Sequence, residues 1–227
     1  PPRVRSPPAT VPSCAPGRLT FLGHAISKFG SRFMRRITLL TLLLLVPPAA
    51  TIALPHLMEL ANVPRRFAIV EKGEIYRGGF PDAGDIEYLS REKGIRAIVS
   101  LTGPTDRENE QAMLAEAKRQ GLKMYRFPMP GNGRGDYDSM DRAAAAVADE
   151  TNRPVFFHCA AGKQRSNAVL AAYRLKYCGW SIGDVKQELV KEHDLDLNDA
   201  KERSLWEHIE GYARRLERSG PTTTPGS

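Results

Sequence analysis

Short apolar runs alternate with amphipathic segments between residues 59 and 217, and this alternation predicts one α/β domain over 59–217. Two runs are apolar enough to form buried strands, Ala97–Leu101 and Val155–Phe157. Lys123–Phe127 alternates polar and apolar side chains, which is typical of a strand with one buried face. Residues 218–227 lack such a pattern, and we expect them to form a flexible tail.

Apolar residues at helical spacing occupy the segments between and after these strands. The predicted helices contain Asp85–Leu89, Gln111–Ala117, Met140–Val147, Asn167–Leu175, Gly179–Val185 and Ala200–Leu216. We expect Ser181 to cap its helix at the N-terminus and Trp206 to face the core. The pattern therefore predicts a short sheet flanked by helices.

The first 58 residues have a different composition. Residues 1–33 are basic and rich in proline, which predicts a disordered arm. Ile37–Leu54 then carries no charge over eighteen positions. This is long enough for a bilayer core, and a start at Met34 followed by Arg35, Arg36 and an apolar run is also typical of a secretory signal. Residues 34–58 are therefore predicted to be a transmembrane or signal segment, with a buried N-terminal helix as the alternative.

The net charge of +7 is unevenly distributed along the chain. Residues 1–66 hold nine Lys/Arg and one acid, Glu59, whereas the remainder holds 24 basic and 25 acidic residues. The folded domain is therefore not basic, and a nucleic-acid partner is not indicated. The basic flank of segment 34–58 predicts a membrane partner through that segment and an extracytoplasmic domain, with a cytoplasmic position as the alternative.

The most informative stretch is His158-Cys159-Ala160-Ala161-Gly162-Lys163-Gln164-Arg165-Ser166. It lies between a predicted buried strand and a predicted helix, where backbone N–H groups converge and the helix N-terminus adds positive partial charge. Arg165 carries a planar fork of donors matched to two phosphate oxygens. The same field lowers the pKa of the Cys159 thiol and favours its thiolate. A thiolate beneath a phosphate cradle predicts covalent phosphoryl transfer without a metal or other cofactor.

Cys159 has two other interpretations. The first is a buried structural cysteine beside a solvated Arg165. The second is a metal site that uses His158 and Cys159. Adjacent residues at a strand end point apart, and the sequence has no C-x-x-C or H-x-x-x-H partner, so zinc is not indicated.

The stretch fits H-C-x5-R-S/T, and the chain resembles the protein tyrosine phosphatase superfamily, in particular its compact dual-specificity-like branch of atypical and bacterial enzymes. Glu74–Asp82 is similar to the Y-R-S-G-Q-P segment of that branch, and the order of predicted elements also agrees. The resemblance covers Pro64–Glu217. It implies a dual-specificity phosphatase-like α/β fold, a short central sheet flanked by helices, behind an N-terminal membrane-targeting extension.

The resemblance also implies roles for the loop residues. Cys159 would attack phosphorus, Arg165 would hold two equatorial oxygens, and Ser166 would stabilise the thiolate as the leaving group of the second step. His158 would orient the loop, and Asn167 stands where the family usually has glycine. Backbone amides would bind the substrate from Ala160, Ala161, Gly162, Lys163, Gln164 and Arg165.

The family supplies a proton to the leaving oxygen from an aspartate on a mobile loop upstream of the cysteine. Here that loop is Phe127–Asp138, with three glycines and two prolines. Asn132 occupies the expected position and has no titratable proton. We predict Asp136 as the general acid, with Asp138 next; the alternative is that Asp138 or Ser139 only caps the following helix.

Together these residues predict a cysteine-dependent phosphatase that hydrolyses phosphomonoesters through a phosphocysteine intermediate. The substrates would be phosphotyrosine, phosphoserine or phosphothreonine on proteins, or inositol phosphates and phosphoinositides. Lys163 adds a cation to the loop, as in phosphatases of the inositol compounds, although a lone lysine is also typical of a solvated rim. The alternatives are a rhodanese-like sulfurtransferase and, because of Asn132, an inactive phosphate-binding pseudophosphatase.

Overall fold

The computed structural model describes residues 63–219, which form a five-stranded sheet packed with helices. The strands are β1 (Ala68–Glu71), β2 (Ile75–Gly78), β3 (Ala97–Ser100), β4 (Lys123–Arg126) and β5 (Val155–His158). The helices are α1 (Ala83–Glu92), α2 (Glu108–Arg119), α3 (Tyr137–Ala148), α4 (Gln164–Tyr177), α5 (Ile182–Glu192) and α6 (Ala200–Arg218). The arm predicted over 1–33, the segment predicted over 34–58 and the tail beyond residue 219 lie outside the described residues.

The sheet has the strand order β1-β2-β5-β3-β4, and only the β1–β2 pair is antiparallel among these strands. The central strand β5 pairs His158 with Gly78 of β2 on one side and with Ser100 of β3 on the other. The carboxyl ends of three parallel strands therefore meet at one edge. In open α/β sheets, ligands bind in the crevice at that edge.

Alternation along β3 and β5 buries both faces of the sheet. Ile98 and Phe156 pack with Ile86 and Leu89 of α1 and with Met113 of α2 in one cluster. Their neighbours in the chain point to the opposite face and are also fully buried, and α3 and α4 contact these strands. Burial on both faces explains why the strands have near-continuous apolar sequences.

Helix α4, which follows the central strand, is buried over almost its whole circumference. Residues from Ser166 to Arg174 are all buried, and the helix contacts α3, α5 and α6. Arg174 is the charged exception, and both Glu188 oxygens accept from its Nε at 3.1 Å. Its Nη1 also donates to Glu71 at 3.2 Å, so a satisfied buried arginine joins α4 to α5 and β1.

The predicted α/β fold with a short sheet flanked by helices is confirmed. Ser181 caps α5 by accepting from the Asp184 N–H at 3.2 Å, and Trp206 is buried, as predicted. The α3 cap differs from the predicted alternative, because Asp136 caps this helix rather than Asp138 or Ser139. The strands β1 and β2 were not predicted, because β1 is only partly buried and β2 carries Gly78 and the charged Arg77 instead of an apolar run.

Within residues 63–219, no helix combines the length and the apolar character needed to cross a membrane.

Candidate active site

The predicted phosphate loop connects β5 to α4 at the carboxyl edge of the sheet. β5 ends at His158, and α4 begins at Gln164, three residues earlier than the apolar pattern predicted. The last residues of the motif, Gln164 to Ser166, therefore form the first turn of a helix, where free N–H groups favour an anion.

Gly162 is the one position of the loop that requires glycine. Its φ is +69°, a left-handed conformation that side chains rarely adopt. A Cβ there would lie 2.6 Å from the Gly79 nitrogen and 2.7 Å from the Gly78 carbonyl carbon. The loop is thus seated directly on the backbone that follows β2, which is the segment the family resemblance singled out.

Donors from β2, from the segment after it and from Arg66, which precedes β1, hold the outer side of the loop. Three successive loop carbonyls accept hydrogen bonds: Ala160 from the Phe80 N–H at 3.2 Å, Ala161 from Arg66 Nη1 at 3.1 Å, and Gly162 from Arg77 Nη2 at 3.0 Å.

These contacts fix the direction of the loop amides. In a planar trans peptide the carbonyl and the following N–H point in opposite directions. The carbonyls of Ala160, Ala161 and Gly162 point outward, so the next three N–H groups point inward. The Lys163 N–H accordingly faces the Cys159 sulfur. Three of the loop amides therefore face the side on which the phosphate cradle is predicted.

Cys159 lies at the centre of this cradle and is 2% exposed. Burial raises the pKa of its thiol, but the nearby Ser166 hydroxyl, the amides of Ser166 and Lys163 and the charge of Arg165 outweigh it. Ser166 Oγ is buried and has no hydrogen-bond partner within residues 63–219, so its hydroxyl acts on the sulfur from beyond ordinary hydrogen-bond distance. The pKa of Cys159 is therefore lowered from its ordinary value, which favours a thiolate nucleophile.

Arg165 keeps donors free for a ligand. Its Nη1 donates weakly to the Leu101 carbonyl at 3.4 Å, which anchors the guanidinium to the loop after β3. Its Nε is buried and has no hydrogen-bond partner within residues 63–219. A buried donor without a partner is rare in a folded protein, and a phosphate oxygen would satisfy it.

The loop after β3 is held in turn by two residues that sequence reasoning missed. Arg126 pairs with the buried Glu110 at 2.7 Å and donates to the Thr102 carbonyl at 3.1 Å. Glu110 also accepts from the Thr105 N–H at 2.8 Å. These bonds fix the backbone on which Arg165 rests, and no local motif marks them in the sequence.

His158 is fully buried between two aromatic rings. Its imidazole stacks on Phe156 at 5.8 Å and meets the edge of Phe80 at 5.5 Å. Burial lowers the pKa of His158 to about 4, so the ring is neutral near neutral pH. These contacts suit the predicted orienting role, which needs a fixed ring and no proton transfer.

Asn167 has a defined function at the position where the family usually has glycine. Its Oδ1 accepts from Arg77 Nη2 at 2.7 Å, and its Nδ2 donates to the His193 carbonyl at 3.2 Å. The buried amide thus links the loop support to the end of α5. The helical backbone is regular here, with the Asn167 N–H bonded to the Lys163 carbonyl at 2.7 Å.

Lys163 is not the solvated rim residue of one interpretation. Its ammonium group forms an ion pair with Glu202 of α6, and its side chain is only 22% exposed. Glu202 is itself buried and accepts from the Asp196 N–H at 2.7 Å. The loop cation is therefore held in one place by a fixed carboxylate.

The loop predicted to carry the general acid packs against the start of α4. Gly133 has a φ of +76°, and a Cβ there would lie 2.7 Å from the Gln164 carbonyl oxygen. Asn132 is exposed, and its Oδ1 accepts from the Arg134 N–H at 3.0 Å. Neither residue offers a proton.

Asp136 accepts from the Ser139 N–H at 2.7 Å and from the Ser139 hydroxyl at 2.8 Å. These two bonds hold the pKa of Asp136 below its ordinary value, which disfavours the protonated form that a general acid needs. Asp138 pairs with Arg215 at 2.7 Å on the surface. The role of Asp136 in proton transfer stays a prediction.

One group of potential metal ligands occurs within residues 63–219, formed by Glu188, Glu192 and His193. Both oxygens of Glu188 are bound to Arg174, and the group includes neither His158 nor Cys159. It therefore lies outside the proposed chemistry.

The fold and the loop together define the class: an α/β protein in which a loop headed by a cysteine joins strand to helix at the carboxyl edge of a mostly parallel sheet. The model of the tyrosine phosphatase family matches residues 62–211, which is more than half of the chain. The chain belongs to the tyrosine phosphatase family, and the resemblance to its compact branch is confirmed.

Curated relatives include inositol diphosphatase DSP1 of Oryza sativa, 29% identical over 130 residues, covering 55% of this chain and 56% of the relative. Inositol diphosphatase SIW14 of Saccharomyces cerevisiae is 29% identical over 123 residues, covering 52% of this chain and 42% of the relative. The chain thus spans about half the length of these two relatives.

Solved structures agree on the fold. The catalytic core of the PP-IP phosphatase SIW14 from S. cerevisiae gives a TM-score of 0.54 at 22% identity, covering 69% of this chain and 94% of that chain. TpbA of P. aeruginosa gives a TM-score of 0.53 at 20% identity, covering 67% of this chain and 91% of that chain.

Proposed function

We propose that the protein hydrolyses the terminal phosphoanhydride bond of an inositol diphosphate through a phosphocysteine intermediate on Cys159. The observation that carries this proposal is a complete nucleophile and cradle combined with Asn132 at the position of the family's acid. The proposal narrows the substrates expected from the sequence to the inositol class.

The chemistry of the leaving group supports an anhydride substrate. An alkyl phosphate releases an alcohol, whose oxygen needs a proton in the transition state. A diphosphate instead releases a phosphate group, whose last pKa is about 6, so it leaves near neutral pH without an acid. A site whose predicted acid, Asp136, is held as a carboxylate by Ser139 suits the second reaction better.

Two steps follow from the placement of the residues. The Cys159 thiolate attacks the terminal phosphorus; a P–S bond forms, and the bridging P–O bond breaks with its electron pair on the departing inositol phosphate. Arg165 and the loop amides neutralise the charge on the transferred oxygens. Water then attacks phosphorus, the P–S bond breaks, and the thiolate leaves beside the Ser166 hydroxyl. A proton from the water passes to solvent, and inorganic phosphate is released.

The relatives support the same substrate class. Two proteins similar to this chain are named inositol diphosphatases, and a structure with the same fold is named a PP-IP phosphatase. Lys163 lies at the loop as well, but its ion pair with Glu202 offsets its charge, so the relatives and the leaving-group argument support the substrate class more strongly. Membership of the tyrosine phosphatase family argues against the sulfurtransferase alternative.

Phosphotyrosine on proteins is the second candidate, because a phenol is a better leaving group than an alkyl alcohol and needs less help from an acid. TpbA, which shares the fold, is described in complex with phosphotyrosine. Phosphoserine and phosphothreonine rank lower, since both release alkyl alcohols.

The test compares phosphate release from an inositol diphosphate, an inositol polyphosphate without an anhydride, and a phosphotyrosine peptide. We expect the diphosphate to react at least about a hundredfold faster than the polyphosphate, the scale of missing acid catalysis. Acid quenching should trap phosphate on the Cys159 peptide, visible by mass spectrometry. Equal rates on both inositol compounds would contradict the substrate, and turnover by Cys159→Ser would contradict the mechanism.

A further inference from the structure

Arg77 of β2 is a buried cation directly behind the phosphate loop. It is 1% exposed, and only its Nη2 forms hydrogen bonds, to the Gly162 carbonyl at 3.0 Å and to Asn167 Oδ1 at 2.7 Å. Its Nε and Nη1 are buried without a partner within residues 63–219. Among the same residues no carboxylate lies within ion-pair distance of it, so its charge is not neutralised locally.

The charged groups around Arg77 are mostly occupied elsewhere. It lines a cavity of about 110 Å³ with Arg66, Gly162, Glu192, His193 and Asp194. Asp194 is paired with Arg66 at 3.0 Å, and Glu192 is exposed to solvent.

Two further groups behind the loop add no counter-charge to Arg77. Glu188 is paired with Arg174 at 2.7 Å. Burial, together with Arg77 and Arg174, lowers the pKa of His193 to about 3, so its ring is neutral.

The remaining group near Arg77 that can carry a negative charge is the proposed nucleophile, Cys159. Burial lowers the pKa of Arg77 to about 10, against the opposing charges of Cys159, Glu188 and Asp194, of which Cys159 is the largest. Arg77 therefore stays protonated near neutral pH.

Electrostatic attraction is reciprocal, so a buried guanidinium that donates to the loop carbonyl of Gly162 also favours the Cys159 thiolate. Its effect is smaller than that of Ser166, Lys163 and Arg165, which are the main groups that lower the pKa of Cys159.

We propose that Arg77 is a positioning residue that supplies a fixed, buried positive charge behind the phosphate loop and thereby stabilises the Cys159 thiolate. The proposal rests on the proposed function, in which Cys159 is the nucleophile. Arg77 contacts no substrate: its bond to Gly162 turns that carbonyl away from the site, and its charge acts through the loop. Because the guanidinium is buried, water screens this charge little.

The charges that face Cys159 itself come from the loop and the helix that follows it. Arg165 lowers the pKa of Cys159, together with the Ser166 hydroxyl and the amides of Lys163 and Ser166. Arg77 differs from Arg165, Ser166 and Lys163 because it lies behind the loop, on the side away from the predicted phosphate site. Removing its charge therefore leaves the groups that face the phosphate in place.

The test measures the pKa of Cys159 without substrate, from the pH dependence of its alkylation by iodoacetamide in the full chain. Mass spectrometry of the Cys159 peptide separates this reaction from the other cysteines. Arg77→Gln removes the charge but keeps an N–H donor for the Gly162 carbonyl. We expect the alkylation pKa to rise by up to about one unit, the low end of the effect of a nearby opposite charge.

Arg77→Lys is the matched control, because it keeps the charge and loses the planar fork. We expect its alkylation pKa to stay within about half a unit of wild type, since a distance-dependent charge effect survives a small displacement. A folded Arg77→Gln variant with the wild-type alkylation pKa overturns the proposal. Equal rises in Arg77→Gln and Arg77→Lys also overturn it, because geometry alone would then explain the effect.

If Arg77→Gln does not fold, Asn167→Asp decides. This substitution puts a carboxylate where the Asn167 amide oxygen now accepts from Arg77, and the new negative charge neutralises the guanidinium. An unchanged alkylation pKa overturns the proposal. A raised alkylation pKa supports it. The alkylation experiment uses no substrate, so its result stays valid even if the proposed inositol diphosphate substrate is wrong. Turnover by Cys159→Ser would instead refute the proposed function.

Discussion

At the scale of single residues, the chemistry of the site depends on one proton equilibrium. Cys159 is almost completely buried, and burial alone would favour a neutral thiol. The loop amides, the Ser166 hydroxyl and Arg165 reverse that preference. Each of these groups therefore has a measurable effect on the pH at which the nucleophile forms.

Ser166→Ala should raise the pKa of Cys159, because the Ser166 hydroxyl is the foremost group that lowers it. The thiolate is the deprotonated form, so a higher pKa moves the acid limb of the pH–rate profile to higher pH. We expect a shift of up to roughly one unit, since a full hydrogen bond to a charged group sets the upper limit. The pH dependence of iodoacetamide alkylation measures it, and Ser181→Ala, which removes only the α5 cap, should leave it unchanged. An unshifted limb in Ser166→Ala would show that the hydroxyl does not reach the sulfur.

Asp136→Asn tests the predicted general acid cleanly, because asparagine caps a helix as well as aspartate does. If Asp136 donates a proton, we expect a loss of about 10²-fold on an alkyl phosphate. On an inositol diphosphate we expect less than about a threefold change, because the departing phosphate needs no proton. Steady-state rates of wild type and Asp136→Asn on the alkyl phosphate and on the inositol diphosphate test this prediction. A large loss on the diphosphate as well would contradict the leaving-group argument.

Residues adjacent in the chain were predictable and distant partners were not. Cys159, Arg165 and Ser166 lie within one loop, so their spacing alone indicates an anion site. Arg77 contacts Gly162 across 85 positions, and its role depends on a strand register that no local pattern specifies. The cap on α3 was missed for a related reason, since Asp136, Asp138 and Ser139 are all good caps and only backbone geometry selects one.

At the scale of elements, the site is assembled by segments that end at one sheet edge. The sequence predicted β3, β4, β5 and all six α-helices, because their apolar periodicity is strong. It missed the β1–β2 hairpin, in which β2 carries Arg77 and Gly78 instead of an apolar run. It also placed the start of α4 too late, because the first helical turn consists of polar residues whose amides face the anion site.

Glu202→Gln should show how α6 controls the loop. The substitution removes the carboxylate that pairs with Lys163, and the amide oxygen can still accept from the Asp196 N–H. Lys163 then gains freedom and an uncompensated charge, so we expect KM for a polyanionic substrate to fall about three- to tenfold with kcat little changed. The difference should shrink at high salt.

Glu207→Gln is the control for this prediction, because it makes the same charge change on the exposed side of α6. Its KM should match wild type. An unchanged KM in Glu202→Gln would mean that Lys163 does not contribute to substrate binding, and an equal fall in both variants would indicate a general effect of net charge.

At the scale of the whole molecule, anion binding does not require a basic domain. Beyond residue 66 the acidic residues slightly outnumber the basic ones, yet Arg77, Lys163 and Arg165 converge on one loop. A local cluster of cations at a sheet edge gives a strong local field while the rest of the surface stays balanced. The excess positive charge of the chain lies instead in residues 1–66, next to the predicted membrane segment.

That segment supports a prediction about location. If Ile37–Leu54 inserts into or crosses a membrane, the full chain should sediment with membranes or be processed outside the cytoplasm, whereas a chain that starts at Glu59 should stay in the supernatant. Leu42→Arg combined with Leu44→Arg is the matched control, because each arginine opposes insertion by about 3 kcal/mol and leaves the folded domain unchanged. Fractionation and protease protection measure the outcome. Full-length protein that remains unprocessed in the cytoplasmic supernatant would refute the prediction, because an uncharged run that met the translocation machinery would have been inserted or cleaved.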